Sequence, residues 1–175
     1  DSWETFGWGI DHNSDGVIDL DLYALGARKD HKDIFVEVDA MNGYTPKLAV
    51  LDSVVQAFAL APNSLVNNPD HTDGVNLHYI LDDTTIAVKH LANVWPQFDT
   101  VKTAYWGTEY ERTTPNGRYT LEAKNLVYRY CLFARGFTMT LGGADSGYSG
   151  LGELEFGMGG NDFIVSLGAA GWAGV

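Results

Sequence analysis

The chain has 175 residues, and an apolar content of 45 % is enough to bury the core of one domain. Acidic residues outnumber basic ones 23 to 11, a net charge of −12, which repels nucleic acid and anionic membrane surfaces and argues against both as partners. No run approaches the ~18 continuous apolar residues of a membrane-spanning helix. No cleavable leader is visible, as expected if a signal and any pro-segment preceded Asp1.

The acidic residues begin at the first position. Asp1 and Glu4 of Asp1-Ser2-Trp3-Glu4 stand three apart, like the ninth and twelfth positions of a calcium loop whose start is missing. The phrase resembles the end of a thrombospondin type-3 repeat, which implies a chain that was cut, processed or only partly covered. The plainer alternative is a frayed acidic terminus with one exposed tryptophan. A fuller pattern follows in Asp11-His12-Asn13-Ser14-Asp15-Gly16-Val17-Ile18-Asp19-Leu20-Asp21. Oxygen-bearing side chains at the first, third and fifth positions, glycine at the sixth and a carboxylate at the ninth have the spacing of a calcium loop. Calcium takes about six to eight oxygens at ~2.3–2.6 Å, so alternate side chains must converge and a glycine must supply the turn. Asp11, Asn13, Asp15, the Val17 carbonyl and Asp19 or Asp21 are the expected ligands. The twelfth position, where a bidentate glutamate belongs, holds Leu22. An Asx-rich solvated turn would use the same residue types.

Strand and helix signals alternate after the loop. Ile34 to Val38 reads as a mostly buried strand. Thr45-Pro46 reads as a helix start with proline at the first position, and Leu48, Leu51, Val54, Val55 and Phe58 fall on one helical face. Pro62-Asn63 stops that helix. Loop chemistry from Asn67 to Gly74 feeds a second strand, Val75 to Leu81. Residues 83–95 are expected to hold a short helix, and Thr114 to Gly117 a turn. Leu121 to Ala134 is either a helix running into a strand or one long strand, with strand favoured over Val127 to Phe133 by its aromatic and β-branched residues. The single cysteine, Cys131, lies in that apolar run and reads as a buried, inert thiol. Twelve of the twenty glycines lie in the last forty residues, which favours loops and close backbone approach. Within that region Asp162 to Leu167 reads as a strand and Gly152 to Phe156 as a short edge strand. The order gives an α/β domain with a mixed sheet and a crossover helix.

These residues carry a resemblance. The acidic loop, His31 to Asp39, Asn68-Pro69-Asp70, Gly74 to His78, Tyr128 to Ala134 and Gly160 to Gly168 together resemble secreted microbial zincin-like metallopeptidases, in the same order along nearly the whole chain. The resemblance implies a zincin fold whose sheet precedes a helix carrying His-Glu-x-x-His, with peptide or protein as substrate. It further implies that Ile34–Val38, Val75–Leu81, Val127–Phe133 and Phe163–Leu167 pair in one sheet. The helix near Pro46 would lie across that sheet, with Leu51, Val55 and Phe58 buried against Phe35 or Leu77. The glycine-rich stretch before Asn161 would form the exposed edge, where such a protease lays its substrate. Residues 1–30 would be an acidic calcium segment and residues 31–175 an incomplete sheet domain.

The zinc motif itself is absent. His12, His31, His71, His78 and His90 never stand four apart, so no pair shares one helical face around zinc. His78 is expected to hydrogen-bond within the sheet and His31 to brace the turn before the first strand. Zinc is expected only if downstream sequence supplies its ligands. The acid pairs Glu109/Glu111, Glu153/Glu155 and Asp82/Asp83 are weak candidates for glycosidase carboxylates. Gly147-Tyr148-Ser149-Gly150 lacks the spacing of a nucleophile elbow, and Gly157 to Gly160 lacks the setting of a phosphate loop. Trp3, Trp8 and Trp106, if exposed, would suit stacking on sugars. Two functions follow: the N-terminal portion of an extracellular, calcium-stabilised metallopeptidase that is not catalytic alone, or a non-catalytic calcium-binding assembly subunit that associates through its sheet edges.

Overall fold

A computed structural model describes residues 2–144, 147–153 and 161–168. Among these residues five strands form one mixed sheet: β1 (Asp33–Ala40), β2 (Asn76–Leu81), β4 (Tyr128–Ala134), β6 (Gly150–Gly152) and β7 (Phe163–Ser166), in the order β2-β1-β4-β7-β6. A second, parallel pair joins β3 (His90–Leu91) to β5 (Gly136–Phe137). The four strands expected from sequence therefore share one sheet. Strands β4 and β7 run parallel with Cys131 opposite Phe163, and β6 runs antiparallel to β7 with Gly152 opposite Phe163. Strand β6 comes from the glycine-rich stretch and lies at the sheet's edge, as expected. The expected residues 154–156 of that edge strand lie outside the described residues.

The chain divides into two compact units: Asp1–Val36, Lys47–Tyr79 and Glu109–Tyr128 in the first, and Glu37–Pro46, Ile80–Thr108 and Arg129–Val175 in the second. The first unit holds a 3₁₀ turn (Ser2–Glu4), the acidic loop, and helices α1 (Leu48–Ala59), α2 (Asn63–Val66), α4 (Glu109–Thr113) and α5 (Gly117–Lys124). Lys47 caps α1 in an extended conformation, so Pro46 lies ahead of the helix rather than at its first position. Of the expected apolar face only Leu51 is buried; Val55 is half-buried, and Leu48, Val54 and Phe58 are exposed. The helix is nonetheless tied to the start of β2, because Val75 N–H donates to the Phe58 carbonyl and the Tyr79 hydroxyl donates to Asp52 at 3.1 Å. Gly74 makes the return possible: its φ is +101°, and a Cβ there would lie 2.7 Å from the Ala59 carbonyl oxygen. Buried Asn68 clasps the preceding loop. Its side-chain amide donates to the Thr72 and Gly74 carbonyls and accepts from Lys32 N–H, so no polar atom of that amide is wasted in the interior.

In the second unit, residues 83–93 form no helix. Ile86 bridges Met41, and β3 follows. The helix begins instead at Val94 and runs to Tyr105 as α3, with Pro96 in its first turn, where a missing N–H costs nothing. Val94, Phe98 and Val101 form its buried face. Phe98 meets Tyr130 edge-on at 5.5 Å, and Trp106 meets the same ring at 5.9 Å. Trp106 is buried, which removes it from the exposed aromatics, whereas Trp3 and Trp8 remain exposed. Asp162 fixes the start of β7 by accepting from Lys102 Nζ at 2.6 Å and Tyr130 N–H at 2.8 Å.

Burial reverses the sequence expectation for one phenylalanine and supplies another. Phe98 is 0 % exposed and Phe58 is 37 % exposed. Phe98→Ala should cost roughly 3–5 kcal/mol in urea unfolding, and Phe58→Ala less than ~1 kcal/mol. Equal losses for the two variants would contradict this assignment of the core.

Candidate metal centre and the acidic loop

The acidic loop is closed at its base by an antiparallel bridge, Ile10 to Leu20, with N–H to carbonyl distances of 2.9 and 3.1 Å. Both end residues are buried, so apolar contacts hold the ends of a charged loop together. The loop's side chains turn onto its own backbone. Asp11 accepts from Asp15 N–H at 3.1 Å and Gly16 N–H at 2.8 Å. Asn13 Oδ1 also accepts from Asp15 N–H, and Asp15 Oδ1 accepts from Val17 N–H at 2.8 Å. Asp19 accepts from His12 N–H at 2.8 Å across the loop. Ser14 and Gly16, with φ of 60° and 86°, supply the left-handed turns. Asp21 behaves differently: it lies beyond the Leu20 bridge and caps the next turn by accepting from Ala24 N–H at 2.9 Å. Glu4 lies on the 3₁₀ turn and lines a surface cleft with Lys29, His31 and Lys32. Asp1 lies outside the described residues.

Carboxylates converge most closely elsewhere. Glu37, Asp39 and Asp82 each offer an oxygen, and the three oxygens lie within 4.8 Å of one another; among the described residues this is the group of three acidic, histidine or cysteine ligands that can hold a metal ion. Glu37 and Asp39 alternate along β1, which puts both side chains on one face of the strand, and both are fully buried. Glu37 accepts from Gly107 N–H at 2.6 Å. Asp39 accepts from the Tyr130 hydroxyl at 2.7 Å and from Asp83 N–H at 3.0 Å. Burial pushes the Asp39 carboxyl up to about 7; Tyr130 and the Asp83 amide pull it down, while the neighbouring Glu37 and Asp83 charges push it further up. Burial and the nearby Asp39 also raise Tyr130 and Cys131, which favours the protonated form of both, and Cys131 is buried as expected.

Sequence reasoning missed this cluster, although a signal was present. A strand read as buried carried acids at alternate positions, Glu37 and Asp39, and a third acid followed the next strand at Asp82. Of the acid pairs considered for glycoside chemistry, Asp82 joins this cluster, and Glu111 instead pairs with buried Lys124 at 3.0 Å.

The histidines are dispersed. His12 lies 3.2 Å from Glu122, and His31 braces the 70–72 loop through Asp70 at 3.0 Å and Thr72 at 3.1 Å. His78 bonds within the sheet, as expected, with Nε2 at 2.5 Å from Asp33 Oδ1. Burial would raise the Asp33 carboxyl, but hydrogen bonds from His78, the Arg28 amide and Asn76 outweigh it and hold that carboxyl below the usual range.

The Asp39 shift has a pH consequence. Its folded value of about 7 exceeds the ~3.9 of an unfolded chain, so the fold holds the extra proton between those values. The resulting stability is complete below about pH 4 and is lost as pH rises through about 7. In chelator, the urea midpoint should fall between pH 5 and pH 8. Asp39→Asn should flatten that slope, and a divalent cation should restore the midpoint at pH 8. Identical slopes for the wild type and Asp39→Asn would contradict the assignment.

No helix among the described residues is long and apolar enough to cross a membrane. No protein-family model matches the chain, and no curated protein matches it.

Proposed function

We propose that this chain is the calcium-stabilised, sheet-bearing portion of an extracellular zincin-like metallopeptidase, and that it is not catalytic by itself. The observation that carries this reading is the sheet. Strands β1, β2, β4 and β7 pair together, and glycine-rich β6 lies antiparallel at the edge, the arrangement that the sequence resemblance implies. A peptide substrate of the complete protein would lie along that edge as an added strand. Zinc would be held only by ligands from downstream sequence, since His-Glu-x-x-His is absent from these 175 residues. In this reading residues 1–30 are the calcium segment and residues 31–175 the sheet domain.

Calcium belongs to the loop. Asp11, Asn13, Asp15, the Val17 carbonyl and Asp19 would hold it, with Asp21 engaged in its cap. Each of these carboxylates has further lone pairs beyond those taken by amides, and the crowding of like charge is relieved by a cation. A loop without the twelfth-position glutamate binds weakly, which suits the millimolar calcium outside cells. The exposure of β6 at the edge favours a second reading, a non-catalytic assembly subunit whose copies pair edge to edge.

At calcium about a hundredfold above its dissociation constant, the melting temperature should rise by roughly 5–10 °C over that in chelator. Asp15→Ala should abolish most of that difference. Equal melting curves would remove calcium from the account. The purified chain should also bind no stoichiometric zinc and leave casein intact; zinc-dependent cleavage free of contaminants would overturn the non-catalytic assignment.

A further inference from the structure

We infer that the Asp33–His78 pair sets the calcium affinity of the acidic loop by clasping the segment that closes it; this rests on the reading that the loop takes calcium. Among the described residues no hydrogen bond or ion pair runs from Asp33 or His78 to the loop itself. The two act through residues 22–28, which follow the loop's base directly. Leu22 and Ala27 are buried, and Ala27 N–H donates to the Leu22 carbonyl at 2.9 Å. Gly26 turns with φ of +107° against the His78 ring, whose Cε1 would lie 3.0 Å from any Cβ added there. Arg28 N–H then donates to Asp33 Oδ2 at 3.1 Å, while the other Asp33 oxygen takes His78 Nε2. His78 cannot drift, because its ring stacks on Phe35 at 4.5 Å and 14°, and Phe35 is backed by Tyr128 at 5.1 Å. A buried carboxylate thus grips the backbone just after the loop, and a fixed imidazole grips the carboxylate.

The energetic consequence follows from preorganisation. With residues 22–28 held, Leu20 is presented to Ile10 and the loop is closed before any ion arrives. With them released, calcium binding must also order the loop, and affinity falls by that ordering cost. Linkage makes the effect reciprocal, so bound calcium should tighten the clasp. Asp33 and His78 are positioning residues in this scheme, and Gly26 is the contact through which His78 reads the segment.

The test is calcium titration calorimetry on the chelator-stripped chain, well below the melting temperature of each variant. Asp33→Asn and His78→Gln should bind calcium about tenfold more weakly while remaining folded by circular dichroism. Gly26→Ala, which strains the turn and crowds His78 without altering charge, should move affinity in the same direction. In the wild type, hydrogen exchange at the Arg28 amide, read under native conditions where it runs through local opening, should slow on adding calcium; this arm decides the matter if the variants fail to fold. Unchanged affinity in the variants or calcium-independent exchange at Arg28 overturns the clasp while leaving the loop's calcium intact. A wild type that binds no calcium removes the loop reading, and the clasp with it.

Discussion

Strand β1 is largely buried and yet carries three carboxylates, Asp33, Glu37 and Asp39. An interior carboxylate without donors costs several kcal/mol, so each of the three dictates what must surround it. In the first unit Asp33 requires the Arg28 amide and His78. In the second, Glu37 requires Gly107 N–H just after α3, and Asp39 requires the Tyr130 hydroxyl and Asp83 N–H. Removing a donor leaves an acid short of a partner, and removing an acid leaves the Arg28, Gly107 and Asp83 amides, His78 or the Tyr130 hydroxyl without an acceptor. The acids of β1 therefore fix which donors its neighbouring loops must present.

The two acidic places in the chain answer charge repulsion in different ways. In the exposed loop, Asp11, Asn13, Asp15 and Asp19 spend part of their acceptor capacity on backbone amides, and solvent covers the rest. In the interior, Glu37, Asp39 and Asp82 stand within 4.8 Å of one another, and the Asp39 carboxyl keeps its proton up to about pH 7. A proton and a metal ion are alternative ways of neutralising the same cluster.

The strands were legible because residues such as Ile34, Phe35 and Val36, or Phe163, Ile164 and Val165, leave little choice of conformation. The edge position of β6 was legible through the glycines that precede Asn161. Helix α3 was not, since its apolar spacing at Val94, Phe98 and Val101 starts beside Pro96, which reads as a breaker unless the first turn is recognised. Phe58 was misread for the opposite reason: α1 has apolar residues on several sides, so spacing alone cannot choose the side that is covered. The cluster at Glu37, Asp39 and Asp82 needed a question that periodicity does not ask, namely what a buried strand does with two acids on one face. The difference between Asp19 and Asp21 depended on where the Leu20 bridge falls, which no spacing rule contains.

The most direct test of the calcium account is an anomalous difference map from crystals grown in calcium and measured at long wavelength. One strong peak is expected, enclosed by Asp11, Asn13, Asp15, the Val17 carbonyl and Asp19, with Asp21 still capping Ala24. A map with no peak in that loop, or with calcium bound through Asp21 in place of Asp19, would contradict it.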